Sequence, residues 1–238
     1  MVALNKMLSN YKNVKVLIPA RSGSKGIANK NLKCLSGKPL IDHTIQEALK
    51  VFSKHDIFLS SDGLAILDRA RELGINAIQR PAAISKDDSN SDELITHFLN
   101  EYNFHENPTI IYLQPTSPLR TAKNIIEAHE LFVNMSQGTL ISVSESKQTP
   151  YKALKLNSNN ELHPVVQINK ETSNRQQLPL TFYPNGAIYI FKGESFLEKH
   201  CLPEPKIPYI MQTGQSIDID DMLDFALAEL LKEKQDGI

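Results

Sequence analysis

Two stretches of this sequence carry side chains suited to polyphosphate chemistry. The first is ARSGSKGIANKNLK, residues 20–33. Arg21, Lys25, Lys30 and Lys33 offer charge for several phosphate oxygens. Gly23 and Gly26 lack a Cβ, so backbone N–H groups there can approach an anion. No Gly-Lys-Ser/Thr follows at P-loop spacing, and the two glycines do not make Gly-x-Gly-x-x-Gly. The ordinary ATPase and dinucleotide readings therefore lose ground. A plain solvated turn is the competing reading. The coincidence of four cations, two glycines and a preceding apolar run favours phosphate. The second stretch is SIDIDD, residues 216–221. Asp218 and Asp220 are two apart, so an extended backbone points both one way, with Ile217 and Ile219 opposite. Paired carboxylates are hard oxygen donors suited to Mg²⁺, which takes one or two of them plus substrate phosphates. Asp221 is assigned to capping the helix that follows. Together the two stretches point to a nucleoside triphosphate.

These residues need a scaffold. Val16, Leu17 and Ile18 read as a buried strand stopped by Pro19, with a buried helix segment as the alternative, and open α/β sheets bind ligands beyond such strand ends. Residues 39–51 have helical spacing, with Pro39 in the first turn and His43 as a surface or packing residue. Residues 56–60 make a second strand ending at Ser60–Gly63. Asp62 caps that turn, with a nucleotide contact as the alternative. A helix over 64–73, closed by Gly74, and a strand over 76–79 follow. Ser91 is a candidate cap for a helix through Glu93–Leu99. Residues 109–113 and 138–143 give further strands. Between them a stiff turn, 114–120, leads with a Thr or Ser cap into a helix over 122–133. The last helix begins near Met222 and carries an apolar stripe. This alternation predicts a three-layer α/β fold with a mainly parallel sheet. Residues 144–182 break the pattern with scattered charge, Asn-rich turns and no long helix. The chain thus divides into an α/β unit, 1–143 plus 183–238, and an excursion, 144–182.

Composition narrows the class. A formal net charge of −1 over 238 residues gives no global field to hold nucleic acid, so an anion site must be local. Cys34 and Cys201 have no CxxC or His spacing, which argues against zinc or a disulfide framework and for a reducing compartment. The first residues lack the apolar core of a signal peptide, and no run approaches a membrane span of roughly 20 apolar residues. The expectation is a cytoplasmic protein with neither membrane nor nucleic-acid partners.

IPARSGSKG and NKNLK (18–26, 29–33), QPTSPLR (114–120), RQQLP (175–179), PNGAIYI (184–190) and SIDID (216–220) together resemble the acylneuraminate, or sialic acid, cytidylyltransferases over nearly the whole chain. The resemblance implies a Rossmann-like nucleotidyltransferase fold. It implies a CTP site of Arg21, Ser24, Lys25, Lys30, Asn31, Arg80, Ser89 and Ser91, the last three at the cytosine edge. A pyrimidine edge needs donors for O2 and N3, which arginine and hydroxyls supply. It places Gln114, Thr116, Lys152, Arg175, Asn185 and Tyr189 at the acceptor sugar acid, with Arg120 supporting the loop or the reacting groups. Arginine suits a carboxylate because its fork pairs both oxygens. It also implies Mg²⁺ on Asp218 and Asp220, and a homodimer made by the excursion, with Lys152 and Arg175 acting in their own or the partner's site. Tyr183 departs from members that carry a cation there, so a charge contact at 183 is not expected.

The implied reaction joins CTP to a nine-carbon 2-keto sugar acid, N-acetylneuraminate, releasing diphosphate. Arg21, Lys25, Asp218 and Asp220 are its catalytic candidates, and no residue presents itself as a general base. Legionaminate, pseudaminate and 3-deoxy-octulosonate are alternative acceptors, the last disfavoured by the RQQLP and PNGAIYI matches. A catalytically silent nucleotide-binding regulator is a reading from a different class.

Overall fold

The computed structural model describes residues 11, 13–23, 26–86, 89–102, 104, 106–166 and 174–237, with only the backbone of Arg175 and Asp236. The strands in chain order are β1 (Val14–Pro19), β2 (Cys34–Leu35), β3 (Lys38–Pro39), β4 (Ile57–Ser61), β5 (Asn76–Gln79), β6 (Thr109–Tyr112), β7 (Thr139–Glu145), β8 (Leu154–Leu156), β9 (Leu162–Pro164), β10 (Phe182–Lys192) and β11 (Lys206–Ile210). The helices are α1 (Leu40–Leu49), α2 (Leu64–Glu72), α3 (Ser91–Tyr102), α4 (Ala122–Val133), α5 (Gly193–Lys199) and α6 (Met222–Asp236). Seven strands form one sheet in the order β11-β7-β10-β6-β1-β4-β5. β10 alone runs antiparallel to its neighbours β6 and β7; the other pairings in this sheet are parallel.

Alternation along the strands sorts side chains onto two faces. Val14, Val16 and Ile18 join Ile41 and Ile45 of α1, Leu67 of α2 and Ile125 of α4 in one core. Leu17, Phe58 and Ile110 join Phe98 of α3 and Phe196 of α5 in the other. Helices thus cover both faces, the arrangement a mainly parallel sheet requires because both faces must be buried. This is the three-layer α/β fold expected from the sequence.

Element ends moved where local chemistry outweighs periodicity. Pro39 sits at the N-cap position of α1, one residue before the helix, because its backbone is extended. A short 3₁₀ turn, Lys54–Asp56, takes Asp56 out of β4. Asn90, not Ser91, caps α3: its side-chain oxygen accepts from Glu93 N at 2.8 Å. Thr121 caps α4 through a reciprocal capping box with Asn124. Asp221 caps α6 as assigned, accepting from Leu223 N and Asp224 N.

The β7–β10 ladder continues to Glu145 opposite Phe182, so a two-stranded ribbon carries the chain out of the sheet. Beyond it β8 and β9 form a small hairpin. The pairing of β10 with β7 shifts between Pro184 and Tyr189, a bulge containing Asn185 and Gly186. On α6, Phe225 and Ala228 are buried, whereas Leu223, Leu227 and Leu230 remain exposed. The predicted stripe is therefore only partly covered.

At the other end of the sheet, His129 of α4 is buried and its ring lies 4.7 Å from that of Tyr11. Burial, reinforced by the charge of Lys192, pushes its pKa down to about 4. The unfolded chain therefore takes up a proton near pH 6.5 that the folded chain refuses until about pH 4. Stability should fall by about 2–3 kcal/mol as pH drops through that window. A His129→Gln variant should lose that part of the slope, read by urea unfolding at pH 7 and pH 4.5.

Candidate active site

A cleft of about 360 Å³ opens beyond the carboxyl ends of β1, β5 and β6. Arg21, Lys30, Asn31, Arg80, Ser89 and Ser91 from the expected nucleotide set line it. Gln114, Thr116 and Asp220 line it as well. Ser24 and Lys25 lie outside the described residues, as does the Arg175 side chain.

The first loop is held by its own polar groups. Asn31 is buried and donates to the Arg21 carbonyl at 2.8 Å. Asp62 accepts from Ser22 N at 2.8 Å and Ser22 Oγ at 2.6 Å, which ties the loop to the end of β4. Burial raises the Asp62 pKa, but those hydrogen bonds and the Arg80 charge outweigh it and hold it below its ordinary value. Asp62 is thus a loop anchor. Lys30 Nζ donates to the Ile219 carbonyl at 2.6 Å and stands 3.9 Å from Asp220 Oδ1. Lys33 does not join the cleft cations: its ammonium lies over the Phe225 ring, 5.5 Å from the centroid. Gly26 has a packing role besides the one expected. A Cβ there would stand 2.1 Å from the Asp220 carbonyl oxygen. Gly23 faces open space.

Arg80 is buried and donates to the Ser60 carbonyl at 3.0 Å, which fixes its guanidinium at the cleft wall. Burial depresses its pKa from the ordinary arginine value, while Tyr112 and Asp62 oppose that shift. Ser89 Oγ accepts from Lys86 N at 3.1 Å, which folds the loop before α3 back on itself. Ser91 Oγ accepts from the Tyr112 hydroxyl at 3.1 Å. Sequence reasoning read Tyr112 only as a strand residue. The available signal was a polar aromatic at a strand's last position, two residues before Gln114.

The turn after β6 rests on Arg120, which is 1% exposed. Arg120 donates to the Gln114 carbonyl at 3.1 Å, the Ala187 carbonyl at 2.8 Å and Thr44 Oγ1 at 2.6 Å. Burial pulls its pKa down to about 9, partly countered by Glu47. It thus supports the loop from beneath. Asn185 is also structural: it is 4% exposed, its Oδ1 accepts from Ser142 Oγ at 2.6 Å, and its Nδ2 donates to Ser216 Oγ at 2.9 Å. Its side chain organises the floor between the bulge and the aspartate segment and does not line the cleft. Gly186 next to it has φ +72°, and a Cβ would stand 2.3 Å from Gln114 Oε1. Tyr189 is edge-on to Tyr112, with ring centroids 6.0 Å apart. Lys152 lies away from this cleft, in a second cavity of about 410 Å³ with Lys147 and Tyr183.

Asp218 and Asp220 differ in environment. Asp220 has an 85% exposed side chain at the cleft mouth. Asp218 is largely withdrawn, and its Oδ1 is buried without a hydrogen-bond partner. Burial raises the Asp218 pKa. A hydrogen bond from Thr116 opposes this, and the nearby charge of Asp220 adds to it. A buried carboxylate oxygen with no donor suits a cation. Among the described residues no three His, Cys, Asp or Glu side chains cluster as a self-contained metal site. Mg²⁺ needs only one or two carboxylates when substrate phosphates complete its shell, so these donors fit it.

A family model described as cytidylyltransferase matches residues 15–235. The chain belongs to the cytidylyltransferase family. It is 37% identical over 212 residues to an N-acylneuraminate cytidylyltransferase of Streptococcus agalactiae serotype V, covering 88% of this chain and 51% of that protein. The Escherichia coli O18:K1:H7 protein of that name is 34% identical over 221 residues, covering 92% and 52%. The chain thus spans about half the length of these relatives. A CMP-N,N'-diacetyllegionaminic acid synthase of Legionella pneumophila is 31% identical over 225 residues, covering 91% and 95%. Among solved structures, a CMP:2-keto-3-deoxy-manno-octonic acid synthetase complexed with CTP aligns with a TM-score of 0.68 and 15% identity, covering 94% and 99%. At that identity the likeness establishes the cytidylyltransferase fold.

Gly26→Ala should force the cation loop and the aspartate segment apart, because the obstructing atom is a backbone carbonyl. The expected cost is about 1–3 kcal/mol in urea unfolding. Ala at Gly23, which faces open space, should cost much less.

Proposed function

We propose that this chain transfers the cytidylyl group of CTP to a nine-carbon 2-keto sugar acid, N-acetylneuraminate, and releases diphosphate. The observation that carries this reading is the cleft itself. It brings Arg21, Lys30 and Arg80 together opposite Asp220, with the unpartnered oxygen of Asp218 close behind. The names and identities of the N-acylneuraminate relatives support the choice of acceptor.

The sugar's anomeric hydroxyl oxygen attacks the α-phosphorus in line. A new P–O bond forms as the bond to the β-phosphate oxygen breaks. Diphosphate leaves with that electron pair, and the hydroxyl proton passes to solvent. Arg21, Lys25 and Lys30 neutralise the charge that moves onto the leaving group. Arg80, Ser89 and Ser91 hold the cytosine edge. Gln114 and Thr116 align the acceptor, and alignment matters strongly in such a displacement. Asp218 and Asp220 would hold Mg²⁺, which supplies charge neutralisation on the phosphates when bound.

Lys152 and Arg175 would reach the sugar carboxylate from the excursion. Leu154, Leu156, Leu162 and Val165 are exposed there, an apolar surface suited to a second copy of the chain. The proposed working form is accordingly a cytoplasmic homodimer. Cys34 and Cys201 are both exposed and free, which suits a reducing compartment. No described helix is long and apolar enough to cross a membrane.

A second acceptor, a di-N-acetylated legionaminic acid, has its own support. The relative named for it matches this chain over 95% of its own length.

Diphosphate release should require CTP and Mg²⁺ and should be fastest with N-acetylneuraminate. Release only with the legionaminate analogue would move the acceptor. No release with any acceptor would defeat the enzyme reading. Asp218→Asn should lower kcat about 10²–10³-fold and abolish the Mg²⁺-dependent rise in Tm with CTP present. The dimer is tested separately by light scattering: Leu154→Glu with Leu156→Glu should halve the mass.

A further inference from the structure

Helix α6 carries two apolar rows, and the fold uses only one. Phe225 and Ala228 are buried with Ile27, Leu35, Leu40 and Ile219. Leu223, Leu227 and Leu230 lie on the opposite side and are 78%, 42% and 50% exposed. Positions 223, 227 and 230 fall on one line along a helix of 3.6 residues per turn, and Lys234 continues it. Single exposed leucines are ordinary, but a continuous row of them marks an interaction surface. Spacing of four then three residues is that of a seam between two helices.

The charges along the row indicate what covers it. Asp224 stands in the first turn of α6 and Lys234 in the last, at similar distances on either side of the Leu227–Leu230 midpoint. Asp224 is held in place because its carboxylate accepts from Asp220 N and Asp221 N. At about 100° per residue, Asp224 lies on one flank of the row, Lys234 on its line and Glu233 on the other flank. A second α6 laid antiparallel sets Leu227 against Leu230 and puts each Lys234 beside the other copy's Asp224. A parallel one would set lysine against lysine and aspartate against aspartate. The row is therefore self-complementary in one direction only, as a two-fold interface requires. We propose that α6 is an interaction surface for a second copy of this chain, paired antiparallel through Leu223, Leu227 and Leu230. This surface is on a different element from the excursion leucines, and it needs nothing from the cytidylyltransferase reading. Where the excursion pairs two copies, α6 joins two such pairs into a tetramer. Without the excursion contact, α6 makes a dimer by itself.

The test is light scattering on the full chain, comparing wild type with Leu227→Glu/Leu230→Glu. Both leucines are exposed, so the variant leaves the buried row untouched while setting like charges across the seam. Its mass should be half that of the wild type, with Tm unchanged. An unchanged mass overturns the proposal, and so does a wild type that is already monomeric. Adding Leu154→Glu and Leu156→Glu should give a monomer in either case. The total fall is fourfold if the excursion also pairs and twofold if it does not, so failure of the excursion dimer leaves the α6 step readable. Direction is read by cross-linking after the two exposed cysteines, Cys34 and Cys201, are replaced by serine. A mixture of Leu227→Cys and Leu230→Cys chains should form a disulfide on mild oxidation. Leu223→Cys alone should not, because antiparallel helices hold the two 223 positions about 16 Å apart along the axis. A disulfide from Leu223→Cys alone means parallel pairing and overturns the proposal.

Discussion

The Asp220 carbonyl oxygen sits where a side chain on Gly26 would be, 2.1 Å from the ideal Cβ. That close approach brings the end of the chain onto the loop after its first strand. Lys30 reinforces it by donating to the neighbouring Ile219 carbonyl. Ile219 itself is fully buried with Ile27, Leu35 and Leu40, so apolar packing lies beneath the polar contact. Through this one junction, cations near residue 21 and carboxylates near residue 220 come to face a common space. Each group alone is an ordinary solvated charge. Brought together, they form a field that suits a polyphosphate and its cation.

The rest of the sheet arranges the other walls around that junction. Parallel strands β1, β5 and β6 end on one side, and the loops that leave them meet there. β10 enters against this direction, and its bulge brings Asn185 and Gly186 under the turn after β6. Arg120 then joins the turn to β10 through the Gln114 and Ala187 carbonyls. A buried arginine is costly unless its donors are met by fixed acceptors. Here three acceptors from three separate segments meet its two terminal nitrogens, while Nε is buried without a partner, and the three segments are thereby held in register. The floor of the cleft gains rigidity from a charge that does not line it.

Much of this was readable before any coordinates. Hydrophobic runs at Val16–Ile18 and Thr109–Leu113 suit buried strands in a chain that alternates with amphipathic helices. The Asp221 cap was equally legible, because capping is a local hydrogen bond between neighbours in sequence. Ser91 illustrates the limit. Its type suits a cap, but the adjacent Asn90 takes that role and frees Ser91 for Tyr112. Lys33 shows the same limit for charge: its neighbours in sequence suggest a phosphate ligand, yet it covers an aromatic ring from α6. Asn185 was placed at the sugar by motif, but the bulge turns its amide inward.

The sequence by itself determined the class of fold, the two polar stretches that meet at the cleft and most element positions. These follow from spacing along the chain, which sets periodicity, capping and local charge. Only the tertiary structure decided which polar groups are spent on the fold and which are left for a ligand. Asn31, Asp62 and Arg120 look as reactive in sequence as Arg21 and Asp220, yet the first is spent within its own loop and the other two on segments distant in sequence. The reason is physical: a buried polar group must find a partner, and that partner is chosen by proximity in space. Asp218 Oδ1 is the exception, buried without a donor and so left for a ligand.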